Sequence, residues 1–380
     1  MILRKLARFL LALVLLPIFS WDPVSAQAAK KGARPYQAAL LMEADTGTIL
    51  FERDIHKKWP PASMVKMMLM LVVLEGVKQG KLSLSDKVTV SRWASRMGGS
   101  QVYLKEGEEF TLEELMKATV IASANDAAVA IAEHVAGDVE GFVDLMNARA
   151  KELNLADTYY VSVHGLPPPR GQLRDVTSAY DLAMLARPLL KFGDTKRWGS
   201  TWRDTFRQGK FQLTNTNRLV RTFRGTDGIK TGYFSQAGFS ITASALRGKM
   251  HLIAVVLGAA SSKARFAQAS RLLSRGFSNY KKVVAVPKGA PVGKPVPVKR
   301  GKVREAQLIA ARDLVVVVKR GEERQLTVSL ESSGLSAPVK KGQPGGQILV
   351  MVGDKMVGRD SAVVIEDIEE AGFLQRLFRF

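Results

Sequence analysis

Apolar and polar positions near the start of the chain predict a β-hairpin followed by a buried helix. Residues 38–42 and 48–51 are mainly apolar, and between them lie Asp45, Thr46 and Gly47, which are typical of tight turns. The next apolar stretch, residues 64–74, is apolar on every side except at Lys66. A helix of that composition has to be buried.

A helical spacing of apolar residues continues through the middle of the chain and then changes. Further helices are predicted at residues 112–121, 127–136, 142–153 and 179–190. After Gly228, three short apolar segments predict an antiparallel meander, and a last helix follows it; the segments are 229–234, 239–245 and 251–257, and the helix is 263–274. Strands at both ends and helices between them predict an α+β domain over residues 30–276, with one antiparallel sheet flanked by helices.

The composition changes again near Tyr280, where valine, proline, glycine and lysine become frequent. Candidate strands at 282–286, 314–318, 325–330 and 348–352 predict a small, β-sandwich-like all-β domain over residues 280–364. Residues 365–380 are expected to end the chain as an amphipathic helix. In its last ten residues, aromatic and leucine side chains lie opposite Arg376 and Arg379, which suits a helix lying in the plane of a membrane surface. The alternative is a terminal helix docked on the β-domain.

The first 26 residues have the pattern of a secretory signal peptide. Arg4, Lys5 and Arg8 precede an apolar stretch, and small residues at 24–26 predict cleavage after Ala26. A retained membrane span is the alternative, but Pro17 makes the apolar run too short for it. The formal net charge is +21, and the segment to be removed carries +2, so the mature chain keeps 21 − 2 = +19.

The charge, the cysteine count and the histidines narrow the kind of chemistry that is possible. A basic surface suits nucleic acid, but export removes most nucleic acid from reach, so an anionic phospholipid surface is the expected partner. The chain has no cysteine, which excludes disulfides and thiolate catalysis. Its four histidines lack the spacing of metal ligands, and we expect neither a metal nor a cofactor.

Ser63 and Lys66 form the first candidate catalytic pair. Residues three apart on a helix share a face, with about 5–6 Å between their Cβ atoms, so the hydroxyl and the amine can exchange a proton. Lys66 has apolar neighbours, and burial without a nearby carboxylate lowers the pKa of an amine. On its own, Ser-x-x-Lys also fits a helix cap followed by a surface lysine.

Two further segments, later in the chain than this pair, carry candidate site residues. Ser123 and Asn125 lie on a short connection between predicted helices, where both side chains can point into a cleft; a helix N-cap is the alternative. Lys230, Thr231 and Gly232 lie on the first strand of the meander. Lysine and threonine can bind a carboxylate, and glycine lets a substrate backbone lie close, although strand alternation alone does not fix these roles.

Together the three motifs resemble those of the serine penicillin-recognising superfamily, which are Ser-x-x-Lys, Ser-Asp-Asn and Lys-Thr-Gly. The resemblance is closer to the low-molecular-mass penicillin-binding proteins of the D-alanyl-D-alanine carboxypeptidase family. It is carried by residues 60–66, 123–128, 164–166 and 227–232. The resemblance implies the β-lactamase/transpeptidase-like fold for residues 30–276, and a stalk and membrane anchor for the remainder.

This resemblance also implies roles for the motif residues. Ser63 would be acylated, Lys66 would be the base, and Ser123 and Asn125 would assist proton transfer and substrate positioning. The substrate would be bound by Lys230, Thr231, Gly232 and the backbone of Tyr233, whose N–H would share the oxyanion with that of Ser63.

The implied reaction is removal of the terminal D-Ala from peptidoglycan pentapeptides at the periplasmic face of the inner membrane, with covalent binding of β-lactams. A D,D-endopeptidase or transpeptidase acting on the same peptides is the alternative. A β-lactamase is disfavoured because no glutamate stands in the deacylating context of class A enzymes. Many relatives have glycine at the position of Ala124, and some hold the carboxylate with an arginine near the position of Thr216, where the nearest arginine in this chain is Arg218.

Overall fold

A five-stranded antiparallel sheet forms the centre of residues 35–279. The computed structural model describes residues 35–372, so the predicted signal peptide lies outside the described residues. The strands of this region are β1 (Ala38–Glu43), β2 (Ile49–Arg53), β3 (Lys87–Thr89), β4 (Glu109–Thr111), β5 (Arg203–Phe206), β6 (Phe211–Thr214), β7 (Thr226–Phe234), β8 (Gly238–Arg247) and β9 (Met250–Ala259). The order in the sheet is β2-β1-β9-β8-β7, which brings the first hairpin against the predicted meander.

Helices cover both faces of this sheet. They are α1 (Lys66–Lys78), α2 (Arg92–Ser95), α3 (Leu112–Lys117), α4 (Asn125–Ala136), α5 (Val139–Glu152), α6 (Ala179–Leu189), α7 (Gly193–Gly199), α8 (Leu219–Thr222) and α9 (Ser262–Asn279). Strand alternation sends Leu40 and Met42 into one core with α1 and α6, and Ala39 and Leu41 into the other core with α9. The predicted α+β architecture is therefore confirmed.

Several boundaries differ from the sequence prediction, and three of these differences shape the site. The buried helix begins with a 3-10 turn, Ala62–Val65, before α1. The helix predicted at 112–121 ends at Lys117 and continues as a π turn, Ala118–Ala122, which ends at Ser123 in the left-handed conformation with φ 63°. The following helix begins at Asn125, two residues earlier than predicted.

The strands that follow α9 form an all-β domain. Its strands are β10 (Tyr280–Val286), β11 (Pro291–Lys299), β12 (Glu305–Ala310), β13 (Leu314–Lys319), β14 (Leu326–Glu331), β15 (Leu335–Ser336), β16 (Pro344–Val352) and β17 (Lys355–Val364). Six of them form the sheet β14-β16-β17-β12-β11-β15, and β10 pairs with β13. Inward residues of both sheets, including Val316 and Ile348, share one core, and the prediction of an all-β domain is confirmed.

The predicted start of the terminal helix, at residue 365, is wrong. Ile368 exchanges two backbone hydrogen bonds with Val339, and Glu370 forms a bridge with Gly301, so this segment is tied to the β-domain in extended form. Residues 373–380 lie outside the described residues, and an amphipathic helix there stays a prediction. Within residues 35–372, no helix has the length and apolar character needed to cross a membrane.

Candidate active site

Ser63 and Lys66 lie at the junction of the 3-10 turn with α1. Ser63 is in the turn and Lys66 is the first residue of the helix, so their side chains lie on one side, and the Lys66 Nζ is 3.3 Å from the Ser63 Oγ. The same amine donates to the Asn125 Oδ1 at 2.6 Å and to the His164 carbonyl at 2.9 Å. All three groups around Lys66 are uncharged acceptors.

The amine of Lys66 is poised to be neutral. Its side chain is completely buried, and this burial lowers the pKa of Lys66 to about 7, against a smaller raising effect of Asp126 and Asp175. A depressed pKa turns an amine into a proton acceptor near neutral pH. The predicted burial of Lys66 is therefore present in the fold, but the predicted absence of a nearby carboxylate is wrong, because Asp126 and Asp175 come close enough to act on its pKa.

The connection between the π turn and α4 brings Ser123 and Asn125 to the same point. Asn125 is held by its Nδ2, which donates to the Gly98 carbonyl at 2.7 Å, and by its backbone N–H, which donates to Ser100. The left-handed conformation of Ser123 turns its hydroxyl toward Lys230, whose Nζ donates to the Ser123 Oγ at 2.7 Å. Neither side chain caps a helix, so the structure gives the N-cap alternative no support.

Lys230 is the second buried amine of the site. It lies on β7 with 1% exposure, and it donates to Ser123 and to the Thr231 carbonyl. Burial, followed by the nearby charges of Lys66 and Arg265, holds the pKa of Lys230 well below its usual range. The two lysines therefore flank a chain of neutral polar groups.

Thr231 points to a second threonine, which the sequence did not single out as a functional residue. The Thr231 Oγ1 donates to the Thr216 Oγ1 at 2.8 Å. Its two neighbours hold Thr216 in place. The buried side chain of Asn215 donates to the carbonyls of Gly199 and Thr201, just before β5. The buried side chain of Asn217 donates to the Gly228 carbonyl at 2.9 Å. The two hydroxyls form a fixed pair beside Lys230.

Gly232 lets β7 pass close to the turn that carries Ser63. A Cβ atom at this position would lie 2.5 Å from the Pro61 carbonyl oxygen and 3.3 Å from the Ser63 nitrogen. β7 is one of the two edge strands of the sheet, so no strand of the described residues pairs with its outer edge. Tyr233 follows on this strand, 54% exposed and stacked on Phe239 at 4.1 Å between ring centroids. An extended peptide can pair with such an edge.

The segment around His164 contacts Lys66 and is held in place by Ser162 and Asp175, which sequence analysis missed. Asp175 accepts hydrogen bonds from the backbone of Val161 and from both the backbone and the hydroxyl of Ser162, and the Ser162 Oγ accepts from the Gly165 N–H at 2.9 Å. This network fixes the His164 carbonyl against Lys66. Burial, with Lys66 nearby, lowers the pKa of His164 to about 4.

Arg265 on α9 is a second residue that sequence analysis missed. It is 7% exposed, and its Nη1 donates to the Gly232 carbonyl at 3.2 Å and to the Ser240 carbonyl at 3.1 Å. Burial, with the charge of Arg218 nearby, lowers the pKa of Arg265 to about 10. Arg265 therefore places a cation directly behind the edge strand, whereas Arg218 is exposed at the start of α8. An arginine in an amphipathic helix gives no sequence signal for this contact.

The geometry agrees with the comparisons to known proteins. The family model described as D-alanyl-D-alanine carboxypeptidase (peptidase S11) matches residues 25–261, and the model for the C-terminal domain of penicillin-binding protein 5 matches residues 280–370. The chain belongs to the D-alanyl-D-alanine carboxypeptidase family. It is a serine-type hydrolase of that family, and the resemblance stated from its three motifs is confirmed.

Full-length relatives carry the same name. The chain is 37% identical to the D-alanyl-D-alanine carboxypeptidase DacF of Bacillus subtilis over 386 residues, which covers 99% of this chain and 98% of the relative. It is 35% identical to DacC of Escherichia coli, covering 90% and 87%.

Solved structures extend the likeness to the whole described fold of this carboxypeptidase family member. Penicillin-binding protein 5 from Haemophilus influenzae superposes with a TM-score of 0.81 at 29% identity, covering 89% of this chain and 99% of that structure. A single-residue mutant of the Streptomyces K15 DD-transpeptidase superposes with a TM-score of 0.58 at 27% identity, covering 65% and 99%.

Proposed function

We propose that this enzyme removes the terminal D-Ala from peptidoglycan pentapeptides through an acyl-enzyme on Ser63, with Lys66 as the base. The observation that carries the proposal is the short path from the Ser63 hydroxyl to an amine that is buried, bonded only to neutral acceptors and has its pKa lowered to about 7. Family membership supports the reaction class, and the relatives named D-alanyl-D-alanine carboxypeptidase support the substrate.

In the acylation step, the Ser63 Oγ attacks the carbonyl carbon of the penultimate D-Ala while its proton moves to the Lys66 amine. The oxyanion is held by the backbone N–H groups of Ser63 and Tyr233. The C–N bond then breaks, and the departing amine of the last D-Ala takes the proton that Lys66 had accepted, relayed through Ser123, whose hydroxyl is bonded to Lys230. In a second step water attacks the ester and gives a proton to the neutral Lys66 amine, and the Ser63 Oγ takes this proton as the bond between it and the acyl carbon breaks.

The terminal carboxylate of the substrate is bound beside this path. The hydroxyls of Thr231 and Thr216 and the amine of Lys230 offer donors, and Asn125 positions the scissile amide. A β-lactam places its ring carbonyl and carboxylate in the same two positions, so the same serine is acylated by it.

The deciding test measures D-Ala released from a pentapeptide ending in D-Ala-D-Ala, together with labelling by a fluorescent penicillin. Ser63→Ala should abolish both while the melting temperature stays near that of the native protein. Ser235→Ala is the matched control, because it makes the same change on the exposed β7–β8 turn. Labelling that survives in Ser63→Ala would refute the assignment of the nucleophile.

The same assay distinguishes the alternative reactions, which differ in the group that accepts the acyl chain or in the bond that is cut. The superposition on the Streptomyces K15 DD-transpeptidase favours a transpeptidase as the second candidate, and a D-alanyl-D-alanine endopeptidase of Pseudomonas aeruginosa is 29% identical over 70% of this chain. A predominance of cross-linked product over free D-Ala would establish transpeptidation as the main reaction. Fast release of hydrolysed penicillin would identify a β-lactamase.

We further propose that the mature enzyme works at the periplasmic face of the inner membrane, attached through its last residues. The predicted signal peptide and the family of cell-wall enzymes support export. Deletion of residues 371–380 should release the protein from membranes in a detergent-free fractionation, and an unchanged distribution would refute the anchor.

A further inference from the structure

A cavity of about 390 Å³ lies where the β-domain meets the sheet domain, and cations line most of it. The walls come from the β8–β9 turn, the end of α9, the start of β10 and the end of β13. The lining includes five cationic side chains and one aromatic side chain, which are Arg247, Lys249, Lys281, Lys282, Arg320 and Phe277. None of them belongs to the site around Ser63.

Two of the five cations already have carboxylate partners. Lys281 pairs with Glu323 at 2.7 Å, and Lys282 pairs with the buried Glu43 at 2.9 Å and also with Asp45. Within the described part of the chain, no ion pair involves Arg247, Lys249 or Arg320. Three like charges therefore converge on one concave surface without compensation.

The guanidinium of Arg247 is held in a fixed orientation. Its central carbon lies 4.5 Å from the ring centroids of both Phe223 and Phe277, and its Nε donates to the Arg224 carbonyl at 3.0 Å. A guanidinium has five N–H donors, so most of those on Arg247 remain for a ligand. A side chain fixed in this way loses little rotamer freedom on binding.

The negative end of the α9 helix dipole does not neutralise these three cations. One Nη of Arg320 donates to the Phe277 carbonyl at 3.2 Å, which satisfies part of the helix terminus. A helix C-terminus carries only about half an elementary negative charge, whereas three unpaired cations surround the cavity. The surplus positive charge fits a ligand that brings its own negative charge.

We propose that this cavity binds a phosphate group, carried either on the headgroup of an anionic phospholipid or on a small soluble molecule. The forked donors of two arginines match phosphate oxygens, and Lys249, on an exposed tight turn, adds a third cation. Binding would hold the junction of the two domains, because the lining residues come from both.

The test compares two double variants of the full mature chain with the native protein. Lys249→Gln/Arg320→Gln removes two of the unpaired cations, and Lys294→Gln/Lys355→Gln removes the same charge from exposed strand positions of the β-domain. The soluble probes are inorganic phosphate and glycerol 1-phosphate, titrated by calorimetry. The lipid probe is a vesicle of phosphatidylglycerol and phosphatidylcholine in equal parts, compared by flotation with pure phosphatidylcholine. Penicillin labelling should be equal in all three proteins.

We expect the Lys249→Gln/Arg320→Gln variant to bind its ligand about tenfold or more weakly, and the control variant to bind as the native chain does. Weakened binding of the soluble probes alone supports a soluble ligand, and weakened binding of the anionic vesicles alone or in addition supports a lipid headgroup. The terminal segment is present in every variant, so its own membrane affinity cancels in the comparison. Equal losses in both variants, or a native chain that binds none of the probes, would overturn the proposal.

Discussion

The central prediction concerns the pH at which Ser63 becomes reactive. Only the neutral form of Lys66 can accept the serine proton, and its pKa is lowered to about 7. Acylation should therefore be half-maximal near pH 7, fall about tenfold for each pH unit below it, and level off above it. Placing a carboxylate next to this amine should move the whole profile.

Asn125→Asp makes that change with almost no change in shape. The Asn125 Oδ1 lies 2.6 Å from the Lys66 Nζ, and at an effective dielectric constant of about 20 two opposite unit charges at this distance attract by about 6 kcal/mol. One pKa unit corresponds to about 1.4 kcal/mol, so even a third of this attraction raises the Lys66 pKa by more than about one unit. The midpoint of acylation should move above about pH 8.

The assay is the second-order rate constant for labelling by a fluorescent penicillin across this pH range. The maximal rate will also fall, because the Asn125 Nδ2 no longer holds the Gly98 carbonyl, but the position of the midpoint is independent of that loss. Gln307→Glu, which makes the same change in the β-domain, should leave the midpoint near pH 7. A midpoint that stays near pH 7 in Asn125→Asp would refute Lys66 as the base.

Two further predictions test the supports of the site. Thr216→Val removes the partner of the Thr231 hydroxyl, so KM for the pentapeptide should rise about two- to tenfold with little change in kcat. The control Thr214→Val, on the exposed side of β6, should change neither constant. An unaltered KM in Thr216→Val would exclude the hydroxyl pair from substrate binding. Gly165→Ala would put a Cβ atom 2.0 Å from the Ala62 carbonyl oxygen, at a backbone φ of +77°. The control Gly171→Ala has a similar φ of +89° but open space around it, so Gly165→Ala should lower the free energy of unfolding by at least about 1 kcal/mol more than the control does. Gly165→Ala should also slow acylation, because the clash displaces Ser63. Chemical denaturation and penicillin labelling measure the two effects, and equal stability losses would contradict the packing argument.

The parts of the site that could be predicted from sequence depend on local geometry. Ser63 and Lys66 are three residues apart, so the helical turn alone brings them together. The apolar residues that follow Lys66 also predicted its burial. The sheet could be predicted because strand alternation and turn residues are likewise local signals.

The parts that could not be predicted depend on long-range register. The contact of Lys230 with Ser123 joins residues 107 apart, and it requires the left-handed conformation that ends the π turn. Helical periodicity cannot reveal such a change, since the apolar spacing continues through it. The pairing of Thr231 with Thr216 and the support of His164 by Asp175 likewise arise only when separate segments pack together.

The pKa of Lys66 depends on which groups form hydrogen bonds with the two neighbouring carboxylates. Asp126 and Asp175 are close enough to raise the pKa of Lys66, yet neither contacts it. Asp126 accepts backbone N–H groups of Val102 and Leu104, and Asp175 accepts those of Val161 and Ser162. Each carboxylate thus fixes a loop that in turn offers Lys66 or its partner Asn125 a neutral carbonyl. The amine keeps its hydrogen bonds without gaining a counter-ion, and that is why it can be both ordered and uncharged near neutral pH.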